Sequence, residues 1–346
     1  MRSRTRSIRG RAWLGLSVLV ACGGGGPGAQ APRAEPEAPP TLDSPAANGE
    51  SGTGSGEVER AVAAIKASDF ANARAALEQA LRKNPKNGAA SYYMGVVLEN
   101  TGDKAGAQQR YLEARASSPE LVEAAVNLGA LYLDENRWDD AIAVSQSAMA
   151  QRPDEPALHA NVAVALRGKG DARGAAGEYE RAIKVAGDNA DLRFAYGSLL
   201  VEMGNKPKAI EQLRAALPSA AGHRALLASI GRLFGAAGAF SDCVTALDGA
   251  VALGDDAELR VRRGLCRHSL KNETAARADF QAATKLDPKF APGHYYLAEA
   301  LVATGNTAQA LKELDAAVAA APHSELGKKA KARAEALRPA TKRRGP

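Results

Sequence analysis

At 346 residues the chain has room for two ordinary globular domains, yet it is 45% hydrophobic with only 5% aromatic residues, and Ala is the largest apolar contributor. A core of Ala buries little area per residue, which favours many closely approaching helices; Val/Ile/Thr-rich runs at strand spacing are absent. The net charge of +6 sits at the two ends and excludes a phosphate-binding groove as a whole-chain property. Arg2, Arg4, Arg6, Arg9 and Arg11 give the first eleven residues +5, residues 325–346 carry +6, and the chain between them is left at −5.

Residues 1–21 have the three parts of a secretory signal in order. A basic segment ends at Arg11, an apolar core of about nine residues runs from Ala12 to Val20, and small residues follow. The core falls far short of the roughly 20 residues that span a bilayer. The run Leu19, Val20, Ala21, Cys22 resembles the lipobox of bacterial lipoproteins. That resemblance implies cleavage before Cys22, which would carry thioether-linked diacylglycerol and an amide-linked acyl chain, enough for stable anchoring. Gly23 stands where an Asp would retain such a protein in the inner membrane. By that family's sorting rule the protein is expected on the outer membrane of a Gram-negative envelope, facing the periplasm. Residues 22–56 are mostly Gly, Pro, Ala and Ser and are expected to form a disordered linker reaching roughly 30–35 Å. The Gly-rich string 52–56 lacks a following Gly-Lys-Ser/Thr and is no phosphate loop.

Beyond the linker the chain repeats. Pro85, Pro119 and Pro153 lie 34 residues apart, as do Pro288 and Pro322. Blocks of this length start at 54, 88, 122, 156, 190 and 224; the sixth is one residue short, and the last two start at 257 and 291. In that frame the eighth, twentieth and twenty-seventh columns hold only Ala, Gly or Cys, as in Gly95, Ala107 and Ala114 or Gly231, Cys243 and Ala250. Two antiparallel helices cross closely only where the crossing residues have almost no side chain. Gly102, Gly170, Gly204 and Gly305 suit the left-handed end of a first helix, and the Asp or Asn after each suits the start of a second.

These columns, over residues 54–324, resemble the tetratricopeptide repeat. The resemblance implies an all-α, right-handed solenoid of about eight helix-turn-helix repeats: 54–87, 88–121, 122–155, 156–189, 190–223, 224–256, 257–290 and 291–324. Residues 325–346 are expected to form a capping helix (Glu325 to Arg338) and a basic tail. The family's bulky fourth residue is replaced by Ser91, Ala125 or His159, Pro218 is expected to cut a second helix short, and the first helix of repeat one reads as weak. Irregularity, and a hinge, are expected around 217–224 and 253–257.

Chemistry is not legible. The five histidines lie far apart with no ligand spacing, and HExxH, GxSxG and Walker motifs are absent. No enzyme activity, catalytic residue, metal or cofactor is expected. Cys243 and Cys266 occupy Ala-like slots on neighbouring helices; packing favours two buried free thiols, and a disulfide is the alternative.

The resemblance further implies a concave groove lined by first helices, with Tyr92, Tyr93, Asn127, Asn161, Phe194, Arg232, Tyr295 and Tyr296 as its binding residues and Glu99, Ser198, Arg262 and Glu299 beside them. Asn127 and Asn161 share the sixth position and are expected to offer a ladder of amides to one extended backbone. The tyrosine pairs are expected as hot spots, with one member of each packing between helices. The Lys/Asn clamp with which some family members hold a C-terminal carboxylate is missing; Val58, Tyr92, Val96 and Val126 occupy its places. The expected partners are other proteins, as an extended peptide or helix, and a membrane through Cys22, without nucleic acid; oligomeric state is left open. The expected function is a membrane-anchored periplasmic scaffold in the assembly of an envelope machine (a secretin or pilus, motility or outer-membrane complex). The alternative is an accessory subunit that activates a wall-modifying enzyme or binds glycan.

Overall fold

A computed structural model describes residues 55–338. The signal-like segment, Cys22, nearly all of the linker and the tail beyond Arg338 lie outside the described residues. Among the described residues every regular element is an α-helix. In chain order they are α1 (Ser55–Lys66), α2 (Phe70–Lys83), α3 (Gly88–Asn100), α4 (Lys104–Ser117), α5 (Val122–Asp134), α6 (Trp138–Met149), α7 (Pro156–Gly168), α8 (Ala172–Val185) and α9 (Ala190–Glu202). There follow α10 (Lys206–Ala216), α11 (Arg224–Ala237), α12 (Phe240–Leu253), α13 (Ala257–Ser269), α14 (Glu273–Leu286), α15 (Ala291–Ala303), α16 (Thr307–Ala320) and α17 (Glu325–Leu337). Each helix packs on the next, and contacts that skip a helix join odd-numbered, first helices to one another, as α5 to α7, α9 to α11 and α13 to α15. The result is an all-α solenoid in which first helices from α9 to α15 form one continuous layer. The first helix of repeat one is formed, anchored by buried Ala61, Val62 and Ile65, and α10 ends early, at Ala216, just before Pro218.

One backbone device makes all eight turns between the paired helices. The fifteenth residue of every block has positive φ: Ser68, Gly102, Asn136, Gly170, Gly204, Gly238, Lys271 and Gly305. The N–H of the next residue then donates to the carbonyl five residues back, as Asp103 to Leu98 and Asn272 to Arg267, both near 2.8–2.9 Å. Where that residue is Asp or Asn, its side chain usually caps the second helix: Asp103 accepts from Gly106 N–H and Asp171 from Gly174 N–H, each at 2.9 Å. Lys271, at φ 64°, holds the left-handed conformation with a Cβ. Lys271→Gly is therefore expected to stabilise the seventh repeat by about 1 kcal/mol. An unchanged or lowered thermal midpoint in that variant would contradict this reading of the turn.

Packing explains the eighth column. A Cβ on Gly95 would stand 2.5 Å from Tyr111 Cε1, and one on Gly264 2.5 Å from Phe280 Cε1. The aromatic ring of the second helix fills the space that the glycine of the first leaves, and Tyr111 is fully buried there.

The vacant fourth position is filled by polar brackets. His159 contacts Glu178 through Nδ1 at 2.7 Å and the Pro153 carbonyl through Nε2 at 2.8 Å; His294 repeats this with Glu313 at 2.7 Å and Pro288 at 3.0 Å. Arg193 donates to the Gly187 carbonyl and to Gln212, and Arg260 to Asp255 and Asp279. Each side chain ties the second helix to the loop that enters its repeat.

The two cysteines correct an expectation. Cys243 on α12 and Cys266 on α13 are joined in a disulfide, with Cα atoms 6.4 Å apart, instead of remaining free thiols. Stacking brings the two small-residue slots of adjacent repeats face to face beside Gly235. The bond closes a loop between residues 23 apart. Its loss in a Cys243→Ala/Cys266→Ala variant is expected to cost about 2–3 kcal/mol. Peptide mapping without reductant should recover the linked pair, and two separate thiol peptides would contradict the assignment.

Candidate protein-binding groove

The groove is built by the fifth and ninth residues of the first helices, which lie one turn apart on one face. In the second half of the solenoid several of these positions are reachable, although Val261 and Glu299 are buried. Phe194, Ser198, Leu265 and Tyr295 are half-buried and Arg232 is exposed. In the first half most are closed, as Tyr92 and Val126 at 5% and 2% exposed show, with Val58 and Val164 half-buried. Leu265 had no sequence signal of its own beyond sharing the column of Arg232.

The amide ladder does not form. Asn161 is fully buried, and its Nδ2 donates to the Val126 carbonyl at 2.9 Å across the junction of the third and fourth repeats. Asn127 is 5% exposed, with Nδ2 3.4 Å from the Tyr111 hydroxyl, which itself donates to Glu99 at 2.9 Å. The physical reason is the sixth position itself. It faces the neighbouring repeat, not the groove, as the buried Tyr93, Ala195 and Tyr296 also show.

The tyrosine pairs divide by the same geometry. Tyr92 and Tyr93 are both buried, edge to face with centroids 5.0 Å apart. Burial, with Glu123 adding to it, holds the Tyr93 phenol above its ordinary pKa. At the other end Tyr296 is buried, stacked on Phe280 at 5.7 Å, while Tyr295 stays half-buried with its phenol pKa raised by burial and by Glu299. Glu299 is 5% exposed and held by Arg333 of α17 through two bonds of 2.9 and 3.1 Å. That ion pair fastens the capping helix to the last first helix.

Charge on the neighbouring first helices is mostly paired. Arg167 binds Glu202, and Arg262 binds Glu258. Arg232 is the exception: desolvation and the positive charge of Arg262 both hold its guanidinium below its ordinary pKa.

Two family models, both described as a tetratricopeptide repeat, match the chain, one over residues 58–119, 100–156 and 229–289 and the other over 166–233 and 269–334. The chain belongs to the tetratricopeptide-repeat family. Tetratricopeptide-repeat proteins bind other proteins. Among solved structures, the C-terminal part of a tetratricopeptide-repeat protein from Cytophaga hutchinsonii is similar in fold, with a TM-score of 0.56 at 13% identity over 69% of this chain and 98% of that one. A tetratricopeptide-repeat protein from Parabacteroides merdae aligns with a TM-score of 0.48 at 16% identity, over 71% of this chain and 98% of that one. Among curated proteins, FlbA of Caulobacter vibrioides is 26% identical over 159 residues, 46% of this chain. The match spans only 27% of the length of FlbA.

Proposed function

We propose that this tetratricopeptide-repeat protein is an exported scaffold, anchored through lipid on Cys22 to the outer membrane and facing the periplasm, that holds partner polypeptides in its groove during assembly of an envelope machine. The observation that carries the binding half is the run of reachable side chains from Phe194 through Arg232 and Leu265 to Tyr295, on successive first helices of one continuous layer. The disulfide between Cys243 and Cys266 supports export, because such bonds persist in oxidising compartments. None of the described helices is long and apolar enough to cross a membrane, so anchoring on this reading falls to the lipobox. Burial of Tyr92, Tyr93 and Tyr296 leaves little aromatic platform for a sugar ring, which favours polypeptide over glycan.

Metabolic labelling with palmitate tests the anchor: label is expected in the wild type and lost in Cys22→Ala, and label retained in that variant overturns it. Phe194→Ala with Tyr295→Ala is expected to lower partner co-purification while leaving the helical circular dichroism unchanged. Undiminished co-purification overturns the binding half.

A further inference from the structure

Arg232 lies at the middle of the reachable stretch and has no carboxylate partner among the described residues, whereas two arginines of other first helices, Arg167 on α7 and Arg262 on α13, have theirs in Glu202 and Glu258. One turn away on its own helix are small residues, Ala228 and Gly235. The first helices that touch α11 present half-buried apolar side chains, Phe194 from α9 and Leu265 from α13. The exposed Arg232 side chain thus stands on a first helix whose two neighbours present apolar side chains, and the charge that acts on it is another arginine. An acceptor delivered by a ligand would supply the counter-charge that this guanidinium lacks, and a carboxylate matches the planar fork bidentately.

We propose that Arg232 selects partner segments carrying an Asp or Glu side chain within the bound stretch, flanked by apolar residues that lie against Phe194 and Leu265. The proposal rests on the groove being a polypeptide site. The acid is an internal side chain because the groove continues past Arg232 on both sides, so that a chain contacting Phe194 and Leu265 passes over the guanidinium without ending there. A polyanion fits poorly: Arg262 is already neutralised by Glu258, and the exposed Asp191 and Glu202 stand on the adjacent first helix.

The probe is a phage-displayed library of random peptides fused at their C-termini, which removes any free terminal carboxylate, selected on the full-length protein. Enriched peptides are then synthesised with amidated ends for fluorescence anisotropy. The expected consensus has one Asp or Glu between apolar residues. Arg232→Gln is expected to weaken such peptides about tenfold or more, with weaker binding in higher salt. Arg232→Glu is expected to turn the selection towards Lys or Arg at the same place. A consensus without an acid, or an unchanged selection on Arg232→Glu, overturns the proposal while leaving the groove reading intact. Enrichment that survives Phe194→Ala with Tyr295→Ala overturns the groove reading and this inference with it. Unchanged helical circular dichroism and an intact Cys243–Cys266 bond in each variant show that the fold is retained.

Discussion

Asp279→Ala is expected to destabilise the seventh repeat by about 3–5 kcal/mol. The Asp279 side chain is 1% exposed on α14 and accepts from three guanidinium groups. Arg263 donates to it at 2.6 and 3.1 Å, Arg267 at 2.8 Å and Arg260 at 3.2 Å. Arg263 is itself 7% exposed, and only Asp248, at 2.7 Å, would remain to neutralise it. Arg260 and Arg267 are exposed enough to turn to water, but Arg263 is not; the penalty is that of a buried charge losing its counterion. Arg263 stands where the second to sixth repeats and the eighth place Met94, Leu128, Val162, Tyr196, Ile230 and Leu297, all buried. Arg263→Leu combined with Asp279→Ala is therefore expected to recover most of the loss, since an apolar replacement of both partners leaves no charge stranded. Repeat arrays unfold in segments, so hydrogen exchange read by peptide mass across α13 and α14 is the appropriate measure. Equal protection in the single variant and the wild type would contradict the account, as would a double variant no better than the single.

Tyr111→Ala is expected to cost about 3–5 kcal/mol, concentrated in the second repeat. The ring is fully buried against Gly95, and its hydroxyl joins Glu99 to Asn127. Removing it opens a cavity between α3 and α4 and strands the Asn127 amide, whose Oδ1 already lacks a partner. Gly95→Leu alone is also expected to destabilise, because its Cβ would enter the ring. In the double variant the new leucine occupies the vacated space, and the loss is expected to fall well below the sum of the two. Additive losses would show that the two columns do not complement one another.

The parts of this fold legible in the sequence are those fixed by sterics at a single position. A glycine that must admit a tyrosine ring, as Gly95 does, leaves a column that no other requirement imitates. The turn was legible at Gly102 and Gly170 but hidden at Lys271 and Ser68, where the same backbone hydrogen bonds close over a side-chain-bearing residue in a conformation it disfavours. The polar brackets were not legible because each is a relation between residues 19 apart, His159 with Glu178 or His294 with Glu313, and neither member is unusual alone. Asn161 misled for a related reason: a polar side chain on a first helix reads as a groove residue, and only the stacking of repeats shows it bonded to Val126 of its neighbour. Arg232 was legible as a groove residue from its column, while its lack of a counterion depends on where Arg262 and Glu258 lie.

Site-specific photo-crosslinking in cells tests the central claim most directly, with the photoreactive residue placed either at Phe194 in the groove or at Lys184, exposed on the second helix α8. The account predicts adducts with a defined polypeptide from Phe194 and little from Lys184. Adducts from Lys184 with none from Phe194, or glycan alone at Phe194, would contradict it.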